Sequence, residues 1–557
     1  MATTVQNPPP PPTKAKLPNV AKAGGIMMFS LALSRVLGLL RDTVMVSQFQ
    51  AGLATDAYRI AFSIPDLLFM LIAGGGLSSA FIPVFSEFFH TEREEEAWDL
   101  FSVVVCVSSA IVLGLITIAW FAAPWVASYI SEGKTHLVNG VEVPVGPGFI
   151  SDVVMMSRIM LPAQFAFLIG SILLGTLYAR HRFAAPGLAP NVYNFGIIGG
   201  AIAGPILGVG IFGMSWGALI GAVVGNLLIP IAVMIKLGSR FKVSFNTSIA
   251  GVDKFFKLLL PVILGFSLPS VCGLITTKFA SMYGEGINTV LNLSNNLMQA
   301  PLGIFGHSLA LAAFPVLAQF YAQERMDLYR DQVSRTLRTT IYLAFPAAAI
   351  MLSAAPQIVH VLYEYGKQAK EVETNHAIAV CLQVFSLGVV AWCVQPALMR
   401  GFFSIHKTFK PIILSTGMTA LFIILCYANT VLNIGYIGLP VATNIAAILL
   451  AIILFFALEG DVGHLDRKGL LITLGRTAIA SAAMGGFIFG VFKVVSIHHM
   501  SRLIAVLTFG FVLVLAAWVY FYITRAFKMP ETEYLSRAMN RVNKKLRPIA
   551  EVEAHSE

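Results

Sequence analysis

Three arginines lie inside the first two apolar stretches that are long enough to cross a membrane. Arg35 and Arg41 interrupt the first stretch, with Asp42 beside Arg41, and Arg59 interrupts the second. An arginine near the bilayer centre costs about 2.5–3.5 kcal/mol, whereas each Leu, Ile, Val or Phe contributes only about 0.3–0.6 kcal/mol. The charged face is therefore expected to line a wet cavity or to meet partner helices. Because a guanidinium fork matches phosphate oxygens, the pattern predicts a membrane protein that handles an anionic, phosphorylated substrate.

Polar groups in the first stretch recur after two helical turns. Ser34 lies seven residues before Arg41, and Arg35 lies seven residues before Asp42. Each pair therefore shares a helix face. All four side chains are candidate substrate contacts.

The second stretch carries Arg59 and Asp66 at helical spacing, and Asp56 lies at its outer end. Two interpretations stay open for these charges. The arginines bind a substrate anion, or they hold helices together, with Arg59 paired to Asp56 or Asp66 and Arg35 or Arg41 paired to another acid. The two apolar stretches contain three acids and three arginines, so the charge count does not decide between the two interpretations.

A row of amides in the eighth apolar stretch forms a second candidate surface. Four of them follow helical spacing on one face and a fifth flanks them: Asn288, Asn292, Asn295 and Gln299, flanked by Asn296. Amides on a membrane-spanning helix point into the bundle or a cavity, where a hydrogen bond between helices contributes roughly 0.6–2 kcal/mol. Substrate contact and helix pairing are both consistent with the row.

The composition is that of a polytopic membrane protein. Of 557 residues, 57% are hydrophobic and only 12% are charged, whereas a soluble domain carries about 25% charged residues. The prediction is an all-α fold with about fourteen transmembrane helices, near residues 25–47, 57–83, 99–128, 153–178, 187–211, 213–235, 255–281, 288–315, 339–362, 375–399, 411–432, 436–457, 470–494 and 502–524.

Basic residues predict the orientation of the chain. With a cytoplasmic N-terminus, 28 Lys and Arg fall in inner segments and 6 in outer loops. Both termini are therefore expected on the cytoplasmic side. This topology explains the net charge of +10 without a nucleic-acid partner. The basic C-terminal tail is expected either to be solvated or to lie against anionic membrane lipids.

An internal repeat divides the predicted bundle. With a shift of 232 residues, Phe81–Val84 faces Ala313–Val316 and Ala122–Pro124 faces Ala354–Pro356. Further along the chain, the shift that aligns the two halves falls to 225 residues. Helices one to six therefore resemble helices seven to twelve as parallel repeats, and substrate sites of such transporters lie between the repeats. The predicted divisions are a disordered Pro-rich tail at 1–22, an N-lobe at 23–250, a C-lobe at 251–460, a helix pair at 461–526 and a basic tail at 527–557.

Motifs for enzymatic chemistry are missing from the sequence. There is no Walker A sequence, no HExxH and no convincing nucleophile triad. The five cysteines fall within apolar stretches without metal-ligand spacing. The chain is predicted to be a transporter without a cofactor, driven by a gradient or by the membrane potential.

Several segments resemble the MurJ (MviN) family of the multidrug/oligosaccharidyl-lipid/polysaccharide exporter superfamily. They are Ser34–Gly38 with Arg41 and Asp42, Ala54–Ala57, Ala80–Pro83, Pro301–Ile304 and Tyr363–Lys367. The resemblance covers roughly residues 22 to 525. It implies a lipid II flippase with two six-helix lobes and a final helix pair that forms a groove for the lipid tail. By position it assigns Arg35, Arg41 and Asp42 to the family's central cavity and Asp56 to its acidic residue before the second helix.

Three positions depart from the family pattern. Phe69 and Asn296 stand where the family usually has arginines, and Gln299 stands where it has a glutamate. Arg59 lies on the same helix as Phe69 and is a candidate substitute.

These observations together predict a flippase in the bacterial cytoplasmic membrane. It would move an undecaprenyl-diphosphate-linked peptidoglycan precursor, a glycopeptide lipid, from the inner to the outer leaflet by alternating access. Arg35, Arg41 and Arg59 would hold the diphosphate. The alternatives are a flippase for another polyprenyl-linked glycan, a drug or cation antiporter of the same superfamily, and a non-transporting scaffold. Cell-wall synthesis enzymes are further candidate partners.

Overall fold

The computed structural model describes residues 20–72, 76–89, 93–138, 141–180, 182 and 184–532. Almost all of this chain is helical. The helices are α1 (Val20–Phe49), α2 (Leu53–Ile72), α3 (Gly76–Phe89), α4 (Glu94–Ser131), α5 (Pro147–Met160), α6 (Ala163–Ala179), α7 (Ala184–Ile206), α8 (Phe212–Ala222), α9 (Ile229–Lys236), α10 (Val252–Ala280), α11 (Ile287–Pro301), α12 (Ser308–Ala322), α13 (Met326–Ser353), α14 (Ala355–Leu362), α15 (Val372–Ser386), α16 (Val389–Ser404), α17 (Phe409–Val431), α18 (Gly438–Val462), α19 (Arg467–Val494) and α20 (Arg502–Ala526).

The apolar stretches predict about fourteen crossings. Within the described residues, 9 helices are long and apolar enough to span a bilayer, and the pair α15–α16, bent by 47°, makes a tenth. The other predicted crossings fall on α1, on α2 with α3, on α7 and on α10. Two spans contain π-helical turns, Val223–Leu228 between α8 and α9 and Leu302–His307 between α11 and α12.

The helix starts confirm the repeat. α4 begins at Glu94 and α13 at Met326, at the 232-residue offset. The start of α15 at Val372 likewise lies 225 residues after the start of α5. The predicted change of offset therefore falls in the loop between α4 and α5.

That loop contains the short strands β1 (Thr135–Val138) and β2 (Val141–Pro144). They pair antiparallel, with Thr135 opposite Pro144. We call the end of the bundle that carries this hairpin, the α1–α2 turn and the α10–α11 turn the distal end. The opposite end, where α1 begins, is the proximal end.

Packing against α7 holds α1 in place. Asn191 donates to the Ser30 hydroxyl at 2.8 Å, and Ser30 donates to the Gly187 carbonyl. The far side of α7 lies so close to α8 that a Cβ at Gly200 would come within 2.1 Å of the Gly213 carbonyl oxygen. Glycine therefore allows α7 to pack tightly between its neighbours, which fixes α1, the helix that carries Arg35 and Arg41.

The last two helices pack on the second half of the chain. α19 lies along α13, and α20 packs on α19. The predicted tails lie mostly outside the described residues. Residues 1–19 and 533–557 are not described, whereas α1 already begins at Val20 and Met529, Glu531 and Thr532 are buried.

Candidate functional site

Two arginines share one buried carboxylate between the halves of the bundle. Asp42 is 1% exposed. Its Oδ1 accepts hydrogen bonds from Arg41 at 3.1 Å (Nε) and 2.9 Å (Nη2), and from Arg59 Nη2 at 3.0 Å. This arrangement joins α1 to α2 with two positive charges against one negative charge.

An amide from the second half of the chain completes the group. Asn296 on α11 donates its Nδ2 to Asp42 Oδ2 at 2.8 Å and to Asn292 Oδ1 at 3.1 Å. We call Arg41, Asp42, Arg59 and Asn296 the arginine cluster. The cluster therefore bridges the two halves and retains one formal positive charge.

The guanidinium groups of the cluster are only partly covered. The side chains of Arg41 and Arg59 are 21% and 13% exposed, against 2% for Asp42. The Nε of Arg59 is buried and donates to no partner in the described chain. An orphaned charged donor is costly unless a partner reaches it.

Arg35 lies apart from the cluster on the exposed side of α1. It forms no ion pair with any described residue. At 1.5 Å per residue it stands about 20 Å from either end of the helix. Its guanidinium approaches the π turn of the other half, where a Cβ on Gly303 would lie 3.6 Å from Arg35 Nη2. A second cation therefore faces the space between the halves at mid-depth.

Asp56 belongs to a different group, at the distal end. Its carboxylate is fully buried and accepts from Lys134 Nζ at 2.6 Å. The backbone N–H groups of Gly286 and Thr289 donate to it at 2.8 and 2.9 Å, and the Thr289 hydroxyl donates at 2.8 Å. We call Asp56, Lys134, Gly286 and Thr289 the distal clasp. It ties the first half of the chain to the α10–α11 turn.

Backbone contacts close the distal end around the clasp. Gln368 Oε1 accepts the Ala51 N–H at 2.7 Å, so the segment after α14 is held on the α1–α2 turn. Gly366 has φ +54°, and a Cβ there would come within 2.3 Å of the Ser47 carbonyl oxygen. A side chain at this position is therefore excluded by the approach of α1.

The sequence-predicted residues fall into separate places. The structure brings together Arg41, Asp42, Arg59, Asn292 and Asn296. It leaves Arg35 facing the interlobe space, and Ser34 turns to α7, where Asn194 Nδ2 lies 3.4 Å from its hydroxyl.

Other predicted residues have fewer contacts. Asp66, Asn295 and Gln299 are half-buried, and their side chains form no hydrogen bond with the described residues. Asn288 bonds to Ser281 at the start of α11. The interpretation that Arg59 pairs with Asp56 or Asp66 is wrong, because its carboxylate partner is Asp42.

Sequence reasoning missed Lys134, Thr289 and Gln368. Lys134 is 1% exposed and pairs with Asp56. No periodic signal marks these residues, because their partners lie 78, 233 and 317 positions away. The only local sign is Gly133, next to Lys134, which adopts a φ of +82°.

Known proteins share both the sequence and the fold. Residues 45–509 match the family described as lipid II flippase MurJ. The chain is 26% identical to the lipid II flippase MurJ of Burkholderia cenocepacia, covering 77% of this chain and 81% of that protein. It is 27% identical to the probable lipid II flippase MurJ of Vibrio cholerae, covering 84% of this chain and 88% of that protein.

Solved structures agree on the fold. One described as lipid II flippase MurJ in an inward closed conformation matches with a TM-score of 0.72 at 22% identity, covering 89% of this chain and 98% of the other. An inward-facing MATE transporter of the MOP superfamily matches with a TM-score of 0.65 at 16% identity, covering 80% and 99%. Since the family match spans most of the sequence, this multi-pass membrane protein belongs to the MurJ lipid II flippase family.

Proposed function

We propose that this chain moves lipid II, an undecaprenyl-diphosphate-linked peptidoglycan precursor, from the inner to the outer leaflet of the bacterial cytoplasmic membrane. The relatives named above are lipid II flippases, and this chain covers more than four fifths of their length. In this proposal the N- and C-termini are cytoplasmic, so the proximal end faces the cytoplasm and the distal end faces outward.

The observation that carries the proposal is the unbalanced positive charge on the membrane-spanning helices α1 and α2. Asp42 neutralises one of the two guanidinium groups that it holds, and Arg35 has no acidic partner in the described chain. A diphosphate offers oxygens that match guanidinium forks. Asp42 keeps Arg41 and Arg59 in place while the site is empty, and the diphosphate competes for their donors when it enters.

The closed distal end gives the site a direction of access. The distal clasp blocks passage outward. On its proximal side, α1 and α12 present exposed apolar side chains. Val36 and Leu40 on α1 are 61% and 46% exposed, and Leu311 on α12 is 61% exposed. The precursor would therefore enter from the proximal side, and opening of the clasp would release it on the other.

The lipid tail requires a path that stays in the bilayer. We propose α20, because it belongs to the final helix pair that the family resemblance assigns to the lipid tail and only 22% of its apolar stretch is buried. Its exposed residues are large and apolar, including Leu503, Leu507 and Phe511. We assign residues 23–250 and 251–460 to the two lobes and residues 461–526 to this tail groove.

The departures from the family pattern have local explanations. Asn296 donates to Asp42 from the position where the family has an arginine, so it keeps the contact between the halves without a charge. Phe69 packs edge-on against Phe167 at 5.5 Å between ring centroids. Arg59, on α2, supplies the second guanidinium group that binds Asp42.

Depletion in the native bacterium tests this function. Cells that lose the protein should accumulate lipid II on the cytoplasmic side and expose little of it outside. Wild-type protein and the Arg158→Ala variant should restore exposure, because Arg158 packs on Trp120 away from the cluster. The Arg35→Ala variant should not. Normal exposure of lipid II in depleted cells that have no paralogue would end the proposal.

A further inference from the structure

Two histidines and a glutamate meet at the distal end, outside the cavity. His360 lies on α14, Glu364 follows that helix, and His498 lies in the turn between α19 and α20. His360 Nδ1 is 2.5 Å from Glu364 Oε2, and His498 Nδ1 is 3.9 Å from the same oxygen. The two imidazole rings lie 4.4 Å apart between centroids.

The donor set identifies the class of ligand. One ligand atom from each of the three residues lies within 4.8 Å of the others. Tetrahedral Zn²⁺, with bonds of about 2.0–2.1 Å, holds its ligand atoms about 3.3 Å apart. Side-chain movements of up to about 1.5 Å would therefore complete the geometry. Two imidazoles favour zinc-class transition metals over Ca²⁺ and Mg²⁺, which prefer oxygen ligands.

We propose that His360, Glu364 and His498 form a binding site for a divalent transition metal of the zinc class. The side chains of His360 and Glu364 are 12% and 20% exposed, whereas that of His498 is 43% exposed. The exposed side leaves a position for water as the fourth ligand.

A fixed cation lies beside the site. Arg502 stacks on Tyr365 and donates to the Glu364 carbonyl oxygen. The positive charge of Arg502 repels cations, so a metal ion must be held by direct coordination to the three side chains.

The position of the site gives it a mechanical consequence, which rests on the proposed function. The segment that follows Glu364 closes on α1 through Gly366 and Gln368. A metal bound to His360 and His498 would fasten the α19–α20 turn to that segment. It would therefore stabilise the closed distal end.

Metal binding can be measured on the untagged, full-length protein after treatment with a chelator. We expect wild-type protein dialysed against Zn²⁺ to retain it stoichiometrically, and Co²⁺ to give the visible absorption of a tetrahedral site. His360→Ala and His498→Ala should weaken Zn²⁺ binding about tenfold or more, a loss of about 1.4 kcal/mol or more. His499→Ala is the matched control, because it removes the adjacent exposed imidazole and should bind normally.

A second readout covers variants that fold poorly. Zn²⁺ should raise the thermal unfolding temperature of wild-type and His499→Ala protein, but not that of Glu364→Gln, which retains an amide in place of the carboxylate. Equal Zn²⁺ binding by all variants, or none by the wild type, would overturn the site. If the wild-type protein binds Zn²⁺ but does not flip lipid II, the proposed function is refuted and the metal site still stands.

Discussion

Asp42 and Asp56 are both buried aspartates that join the two halves of the chain, yet their surroundings differ in charge. Asp56 meets one cation, Lys134, and three neutral donors, all fully enclosed at the distal end. Asp42 meets two cations whose side chains remain partly exposed, and one amide. The first group is balanced and sealed, whereas the second retains positive charge on its open side.

This difference separates a closing contact from a binding site. A buried ion pair is tolerated when its charges cancel and every lone pair has a donor. Such a group has no use for a further ion. A surplus guanidinium at membrane depth is costly unless water or an anion reaches it. The arginine cluster is therefore suited to receive an anion, and the distal clasp to hold the outer path shut.

The largest expected effect is at the clasp. Asp56→Ala leaves Lys134 buried without a counter-charge, which costs about 3–5 kcal/mol, so the thermal unfolding temperature in detergent should fall by several degrees. Asp152→Ala, at an exposed carboxylate on α5, is the control and should unfold like the wild type. Equal stability of the two variants would show that the clasp does not hold the halves together.

Replacing both charges sharpens this test. The double variant Asp56→Asn with Lys134→Met removes the unpaired cation as well as the acid. It should be more stable than Asp56→Ala, because the penalty comes from the orphaned charge. A double variant that is no more stable would assign the effect to the backbone donors of Gly286 and Thr289.

The next variant should lose transport activity while its stability stays almost unchanged. Arg35→Ala should abolish flipping in reconstituted vesicles and change the free energy of unfolding by about 0.5 kcal/mol or less, because Arg35 has no ion pair in the described chain. Arg158→Ala should leave both unchanged. Wild-type flipping by Arg35→Ala would exclude this side chain from the substrate path.

A smaller effect is expected at the amide that bridges the halves. Asn296→Leu leaves Asp42 Oδ2 without its donor and should destabilise the protein by about 1–2 kcal/mol. Asn295→Leu is the matched neighbour, since its amide makes no hydrogen bond with described residues, and it should be near neutral. Asn296→Arg should be tolerated because the same oxygen can accept from a guanidinium. Unfolding temperatures of the three variants decide the point.

The smallest effect is predicted for Asp66→Asn. Asp66 is half-buried and forms no ion pair with described residues, so the free energy of unfolding should change by about 0.5 kcal/mol or less. Loss of a negative charge on α2 should modestly tighten binding of a diphosphate to the cluster. A large loss of stability would reveal a partner for Asp66 and weaken the contrast between the arginine cluster and the distal clasp.

The fold followed from the sequence because it rests on local signals. Apolar length predicted the crossings, and the 232-residue offset reappears in the starts of α4 and α13. The cluster was predicted in part, since charges inside α1 and α2 are conspicuous. What could not be predicted is which acid each cation meets. The partners of Asp56 lie 78 and 233 residues away, and only the packed bundle brings them together.

Recognition of a diphosphate by Arg35, Arg41 and Arg59 underlies the proposed function. Native mass spectrometry of the purified protein, with an undecaprenyl-diphosphate-linked precursor and with the corresponding monophosphate lipid, measures it directly. We predict that the wild type and Arg158→Ala retain the diphosphate lipid in preference to the monophosphate. Arg35→Ala and Arg41→Ala should lose about tenfold or more in affinity, about 1.4 kcal/mol or more. Equal retention of both lipids by all four proteins would contradict the account.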